Sequence, residues 1–170
     1  MLIGMMKMTT IIKDNRPSWD EYFLEIAKVV STRSTCFRTK CGAVIVKDKK
    51  ILSTGYNGSP RYQKNCAEIG FCYRNKNNIK SGTELEKCRA CGCHAESNAI
   101  ALASRDGSAT NDSIMYMYGN KDICTMCKGI IANAGIIKVI MKTTDGYCGL
   151  QSEIKTYIPE KDWTIHQIDK

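Results

Sequence analysis

No run of apolar residues in this 170-residue sequence approaches the length needed to cross a bilayer, so neither a membrane-spanning helix nor a membrane partner is expected. No internal repeat and no low-complexity stretch appears, which leaves a single compact unit as the expected organisation. The opening residues, MLIGMMKMTTIIKDN, lack a cationic leader, a long unbroken apolar core and a small-residue cleavage site. No signal peptide is read there, and a cytoplasmic location is expected. Histidine is nearly missing as well, at two residues.

Cysteine, by contrast, is abundant, with ten residues. In a reducing compartment thiols stay reduced, so ten cysteines argue for metal binding more than for disulfides. Hydrophobic content of 43% and charged content of 25% are ordinary for a soluble globular chain. The formal charge of +8 suits an anionic partner such as a nucleotide or nucleic acid. The lysines are scattered, however, through KDKK, RNKNNIK and EKDW, and form no long stripe, so charge alone decides little.

Patterning divides the chain. The segment RPSWDEYFLEIAKVVSTRS reads as a helix capped by Ser18, with Tyr22, Ile26, Val29 and Val30 at helical spacing. GAVIVKDKKILSTGYNGSP reads as a hairpin turning at KDKK, then a Gly/Asn/Pro loop. Residues 61–93 are polar, dotted with cysteine and irregular, and so long a loop needs something to tie it down. Beyond it the spacing predicts a helix over 94–104, a strand at SIMYMYG, a helix over 124–134 and a strand at IIKVIMK. The tail from about 143 is weakly patterned, with a last strand read at WTIHQI. Alternating helices and buried strands imply an α/β sandwich around a central sheet. Residues 1–15 read as an N-terminal extension and 16–170 as one domain.

Two of the predicted helices open on chemistry. One starts at His94, with Glu96 two positions on; the other starts at Cys124 and carries Cys127, a C-x-x-C pair. A helix N-terminus favours thiolate over thiol. One imidazole and two thiolates leave a fourth tetrahedral position for water, which is how catalytic zinc is held. Glu96 would lie near that water and move its protons. Each element is weak by itself; their conjunction at two helix starts with a strand between is specific.

HAESNAI followed by CTMC resembles the H-x-E…C-x-x-C signature of the zinc-dependent cytidine and deoxycytidylate deaminases. The wider match, through RPSWDEYFLEIAKVVSTRSTCFR, CGAVIVKDKKILSTGYNGSP, SGTELEKCRA and NAGIIKVI, resembles the deoxycytidylate (dCMP) branch over roughly residues 16–141. The resemblance implies a three-layer α/β/α sandwich of the cytidine deaminase-like type with a central mixed sheet. It implies conversion of dCMP and water to dUMP and ammonia, a step of pyrimidine deoxynucleotide metabolism towards dTMP. His94, Cys124 and Cys127 would hold zinc. Glu96 would take the water proton, deliver it to N3 of cytosine and assist loss of the amino group.

The same resemblance implies a second, structural zinc on Cys36, Cys66, Cys72 and Cys88, clamping the 61–93 loop; Cys91 and Cys93 are rivals for those positions. It assigns Arg38 to the phosphate and Asn57 to sugar or phosphate, with Ala95 near the base. Arginine suits phosphate because its planar fork makes paired bonds. Arg33 and Tyr118 are further candidates, Tyr118 equally as strand packing. A homo-oligomer, guessed as a hexamer, and dCTP or dTTP effectors are also implied. Two departures stand out: Ile123 occupies the position before the first cysteine of C-x-x-C, where the family usually has proline, and CRACGCHAE is longer than the expected spacing.

Two other readings remain. A deaminase of the same kind could also or instead accept dCTP. A zinc ribbon of Cys88 and Cys91 with Cys124 and Cys127 would make a nucleic-acid-binding module, but leaves His94 and Glu96 unexplained. No aromatic platform for successive bases is seen, so no nucleic-acid partner is expected.

Overall fold

The structure, a computed structural model, describes residues 15–80, 83–84, 87–88, 93–119, 122–144 and 153–163. Helix α1, Trp19–Ser31, begins on a reciprocal cap: the Ser18 hydroxyl accepts the Glu21 N–H at 3.2 Å, and the Glu21 carboxylate accepts the Ser18 N–H at 2.8 Å. Strands β1, Gly42–Lys47, and β2, Lys50–Tyr56, form the expected antiparallel hairpin. Asp48 and Lys49 make its two-residue turn at φ of 50° and 63°, the left-handed backbone that matches the twist of the flanking strands. Two one-turn helices follow, α2 at Cys66–Ile69 and α3 at Tyr73–Lys76. Next come α4, Ala95–Arg105; β3, Ser113–Gly119; α5, Thr125–Asn133; and β4, Ile136–Thr143. The described tail holds β5, Ile154–Tyr157, and the short α6, Pro159–Asp162.

The five strands form one sheet in the order β2-β1-β3-β4-β5. Only the β3–β4 pair is parallel, with α5 as its crossover; the other pairs are antiparallel. Side-chain alternation sorts each strand between two layers. Val44, Val46, Tyr116 and Ile140 face α1, with Phe23, Leu24 and Ala27. Ala43, Ile45, Met115, Met117, Val139 and Met141 face α4 and α5, with Ala95, Ala99, Cys127 and Ile131. This is the three-layer mixed-sheet sandwich that the resemblance implies.

The inward face of α1 is not the one that the spacing predicts. Phe23, Leu24, Ala27 and Ser31 are buried, whereas Tyr22 and Val29 are exposed; Ile26 and Val30 flank the seam. The reason is close approach. A Cβ on Gly42 would meet the Ala27 carbonyl oxygen at 2.1 Å and the Ser31 nitrogen at 2.6 Å. The helix therefore presents its small residues where the sheet backbone comes nearest. The described tail adds a strand that the pattern did not show. Its strand is Ile154–Tyr157, Trp163 follows α6, and the remainder of WTIHQI lies outside the described residues. Within 61–93 the described residues hold the two short helices and an isolated bridge between Gly58 and Cys93. The extension before residue 15 lies outside the described residues.

Candidate active site

Helices α4 and α5 lie on the same face of the sheet and start side by side. Their N-cap residues are His94 and Cys124, both with extended backbone (ψ of 159° and 155°), and neither spends its side chain on a capping hydrogen bond. A cap residue normally satisfies one of the unpaired N–H groups of the first turn. Here imidazole and thiol are turned to each other instead. Nδ1 of His94 is 3.4 Å from Sγ of Cys124 and 3.4 Å from Sγ of Cys127, and the three ligand atoms all lie within 4.8 Å of one another. Tetrahedral zinc, with bonds of about 2.3 Å to sulfur and about 2.0 Å to nitrogen, sets N···S near 3.5 Å. The donor set thus fits zinc in chemistry and in spacing.

Glu96, in the first turn of α4, is buried. Burial pushes its carboxyl above the usual range, while its own backbone N–H, the charge on His94 and a hydrogen bond from Cys127 act the other way. Burial also pushes the Cys127 thiol well up, with Glu96 and Cys124 adding to the shift and the Ser97 N–H opposing it. Desolvation is the largest cause for Cys127, and a divalent cation beside the sulfur would act in the opposite direction.

Strand β2 holds α4 at this height. A Cβ on Gly55 would meet the Ala95 carbonyl oxygen at 2.3 Å and the Ala99 nitrogen at 2.4 Å. The Ser53 hydroxyl donates to the Ala99 carbonyl at 2.7 Å, and the Asn98 amide donates to the Tyr56 carbonyl at 2.7 Å. Sequence reasoning missed Gly55, although a glycine within a strand pattern signals close backbone approach. Ala95 is fully buried at that contact.

The remaining candidates occupy distinct places. Asn57 is buried; its Oδ1 accepts the Cys41 N–H at 2.8 Å and its Nδ2 donates to the Thr39 carbonyl at 2.9 Å. It clips the segment after Arg38 to the end of β2. Arg38 is half-buried and donates through Nη1 to the Ile79 carbonyl at 3.2 Å. Arg33 is exposed just past the end of α1. Tyr118 packs against the α1-side cluster, the opposite face of the sheet from His94. Cys36, Cys66 and Cys88 form one buried cluster, and Cys72, also buried, is the N-cap of α3. Cys91 lies outside the described residues. Cys93 is half-buried at the bridge to Gly58, and Cys41 is core packing. No disulfide forms among the described residues. Among the described residues, Cys88 lies in one cluster and Cys124 and Cys127 lie on His94, apart from each other.

Imidazole, two thiols and a buried carboxyl at adjoining helix starts define a zinc-dependent hydrolytic centre. Residues 17–143 match the family described as the cytidine and deoxycytidylate deaminase zinc-binding region, and the chain belongs to that family. It is similar to the deoxycytidylate deaminase of Schizosaccharomyces pombe, 38% identical over 129 residues, a match covering 76% of this chain and 38% of that protein. It is also similar to the deoxycytidylate deaminase of Mycobacterium phage D29, 37% identical over 131 residues, covering 74% of this chain and 95% of the phage protein. Among solved structures, the dCMP deaminase of cyanophage S-TIM5 in complex with dCMP and dUMP superposes with a TM-score of 0.58 at 28% identity, covering 75% of this chain and 83% of that one. Among the described residues no helix is long and apolar enough to cross a membrane.

Proposed function

We propose that this chain hydrolyses dCMP to dUMP and ammonia at a zinc ion held by His94, Cys124 and Cys127. The observation that carries the reading is His94 Nδ1 at 3.4 Å from both thiols, with the buried carboxyl of Glu96 two residues away. When bound, zinc supplies a Lewis acid that lowers the pKa of water to roughly 7 and so yields a nucleophile at neutral pH. Glu96 accepts the proton of the attacking water and delivers it to N3 of cytosine as the C4–O bond forms. The C4 hydroxyl then gives its proton to Glu96, which passes it to the amino group; C4=O forms as C4–N breaks, and water in and ammonia out balance. A carboxyl with a raised pKa in a dry site suits both duties.

The choice of dCMP is supported by the names of the relatives and by the nucleotides in the cyanophage complex. Arg38 is the proposed phosphate anchor, since the single bond to Ile79 leaves N–H groups of its fork for an anion. Asn57 acts with it, by holding the 39–41 segment, and the first turn at Ala95 positions the base. Arg33 is the second candidate for the phosphate. A structural zinc on Cys36, Cys66, Cys72 and Cys88, with Cys91 and Cys93 as rivals for those positions, belongs to the same reading. So do a hexamer, control by dCTP or dTTP, and a cytoplasmic location. The test is ammonia release and dUMP formation by the zinc-loaded chain, with dCMP, dCTP and deoxycytidine compared. Deamination of dCMP is expected to be the fastest; no ammonia from any of the three refutes the reading.

A further inference from the structure

Cys124 makes no side-chain cap, so the position of its sulfur is set by the backbone that leads to it. That backbone is held at the preceding residue through both its side chain and its N–H. The Ile123 side chain is buried in the same core as Cys127. Its N–H donates to Oδ1 of Asp122 at 2.7 Å. The same oxygen accepts the Tyr157 hydroxyl from β5 at 3.4 Å, and the Lys128 ammonium on α5 lies 3.9 Å away. Tyr157 and Trp163 in turn pack on the core that Cys124 touches, their rings 6.2 Å apart. Asp122 therefore joins three things: the peptide before the ligand, the helix that Cys124 caps, and strand β5.

A proline at 123 would set φ by its ring and need no partner. Isoleucine has a free φ and an N–H to satisfy. We propose that Asp122 is a positioning residue for Cys124. By binding the Ile123 N–H it holds the approach to α5 in the extended path that brings the sulfur to the metal, the restraint a ring would otherwise supply. This rests on the reading of Cys124 and Cys127 as zinc ligands.

The readout is zinc release into excess chelator, with the absorption of the cobalt-substituted protein as a second signal. Partners one step removed from a metal typically change affinity by about 10–100-fold when lost. Asp122→Ala is expected to release zinc about tenfold faster, to shift the thiolate–cobalt bands, and to lower kcat for dCMP with KM little changed. Asp122→Asn keeps the accepting oxygen and is expected to restore all three. Tyr157→Phe should move them in the same direction as Asp122→Ala, but less. In an Ile123→Pro background there is no N–H to hold, so Asp122→Ala should add nothing further. Asp122→Ala behaving like the unaltered protein, or Asp122→Asn behaving like Asp122→Ala, overturns the proposal, as does an undiminished Asp122→Ala effect in the Ile123→Pro background. Should the proline variant not fold, the Ala and Asn pair decides alone, because Asp122 is exposed. An unaltered protein that neither binds zinc nor releases ammonia refutes the proposed function instead.

Discussion

In the proposed mechanism Glu96 holds a proton at one moment and gives it up at the next, which a carboxylate in open water does poorly. Burial raises its pKa, bringing the two states closer at neutral pH. Glu96→Gln keeps the shape and removes the exchangeable proton. Turnover of dCMP is expected to fall by about 10²–10⁴ or more, with zinc content unchanged by metal analysis; substantial activity would overturn the mechanism. Arg38 allows a separate test of the phosphate. A charge-assisted hydrogen bond is worth about 1.5–3 kcal/mol, so Arg38→Ala should lower kcat/KM for dCMP by roughly ten- to a hundredfold. Deoxycytidine, which has no phosphate, should be a poor substrate and little changed by the same substitution. The meeting of His94 with Cys124 and Cys127 was legible because two signals coincide there, a motif and a helix start. Asn57 was not. A polar residue in a Gly/Pro loop serves a ligand or the backbone equally well, and here both ends of its amide bind the backbone of residues 39–41.

Helix α4 owes its height above the sheet to an absent side chain. Gly55→Ala puts a methyl against the backbone of Ala95 and Ala99 at 2.3 and 2.4 Å, which no rotamer change relieves. Overpacking of this kind typically costs about 1–3 kcal/mol. Because the contact lies at the turn that holds Glu96, kcat should fall along with the urea midpoint; activity and midpoint both at the unaltered level would refute the contact. On the other face, the Tyr116 hydroxyl donates to Asp20 at 2.6 Å, and burial, with Asp20 adding, raises its pKa. A phenol with a raised folded-state pKa contributes stability below its unfolded pKa of about 10, and that contribution is lost as pH rises further. Denaturation followed across the alkaline range should therefore show a steeper loss in the unaltered protein than in Tyr116→Phe. The elements themselves were largely legible, from the cap at Ser18 to the hairpin and both ligand-bearing helices. The face of α1 was not, since hydrophobic spacing favours Tyr22 and Val29 whereas fit against Gly42 demands Ala27 and Ser31. Strand β5 was missed because four residues at a sheet edge, IKTY, alternate between exposed and half-buried and leave no apolar stripe.

For the molecule as a whole, the described residues between Arg61 and Cys88 contribute two one-turn helices and little apolar core. Their buried anchor is the meeting of Cys66 and Cys88 with Cys36. Metal analysis is expected to find two zinc ions per chain, with Cys124→Ala losing one together with activity. Cys66→Ala should lose the other together with resistance to proteolysis in the 61–88 segment. One zinc in fully active, protease-resistant protein would remove the structural site. The catalytic ligands have a further effect that does not depend on turnover. His94 and Cys124 stand thirty positions apart in the chain, with α4 and β3 between them. An ion gripping both ends closes that stretch into a ring, as a disulfide would. Cross-linking a loop of this size corresponds to about 3–4 kcal/mol of chain entropy in the limit of a permanent bond. Such a clasp needs no oxidant to close it, and opens to chelators and acid instead of to reductants.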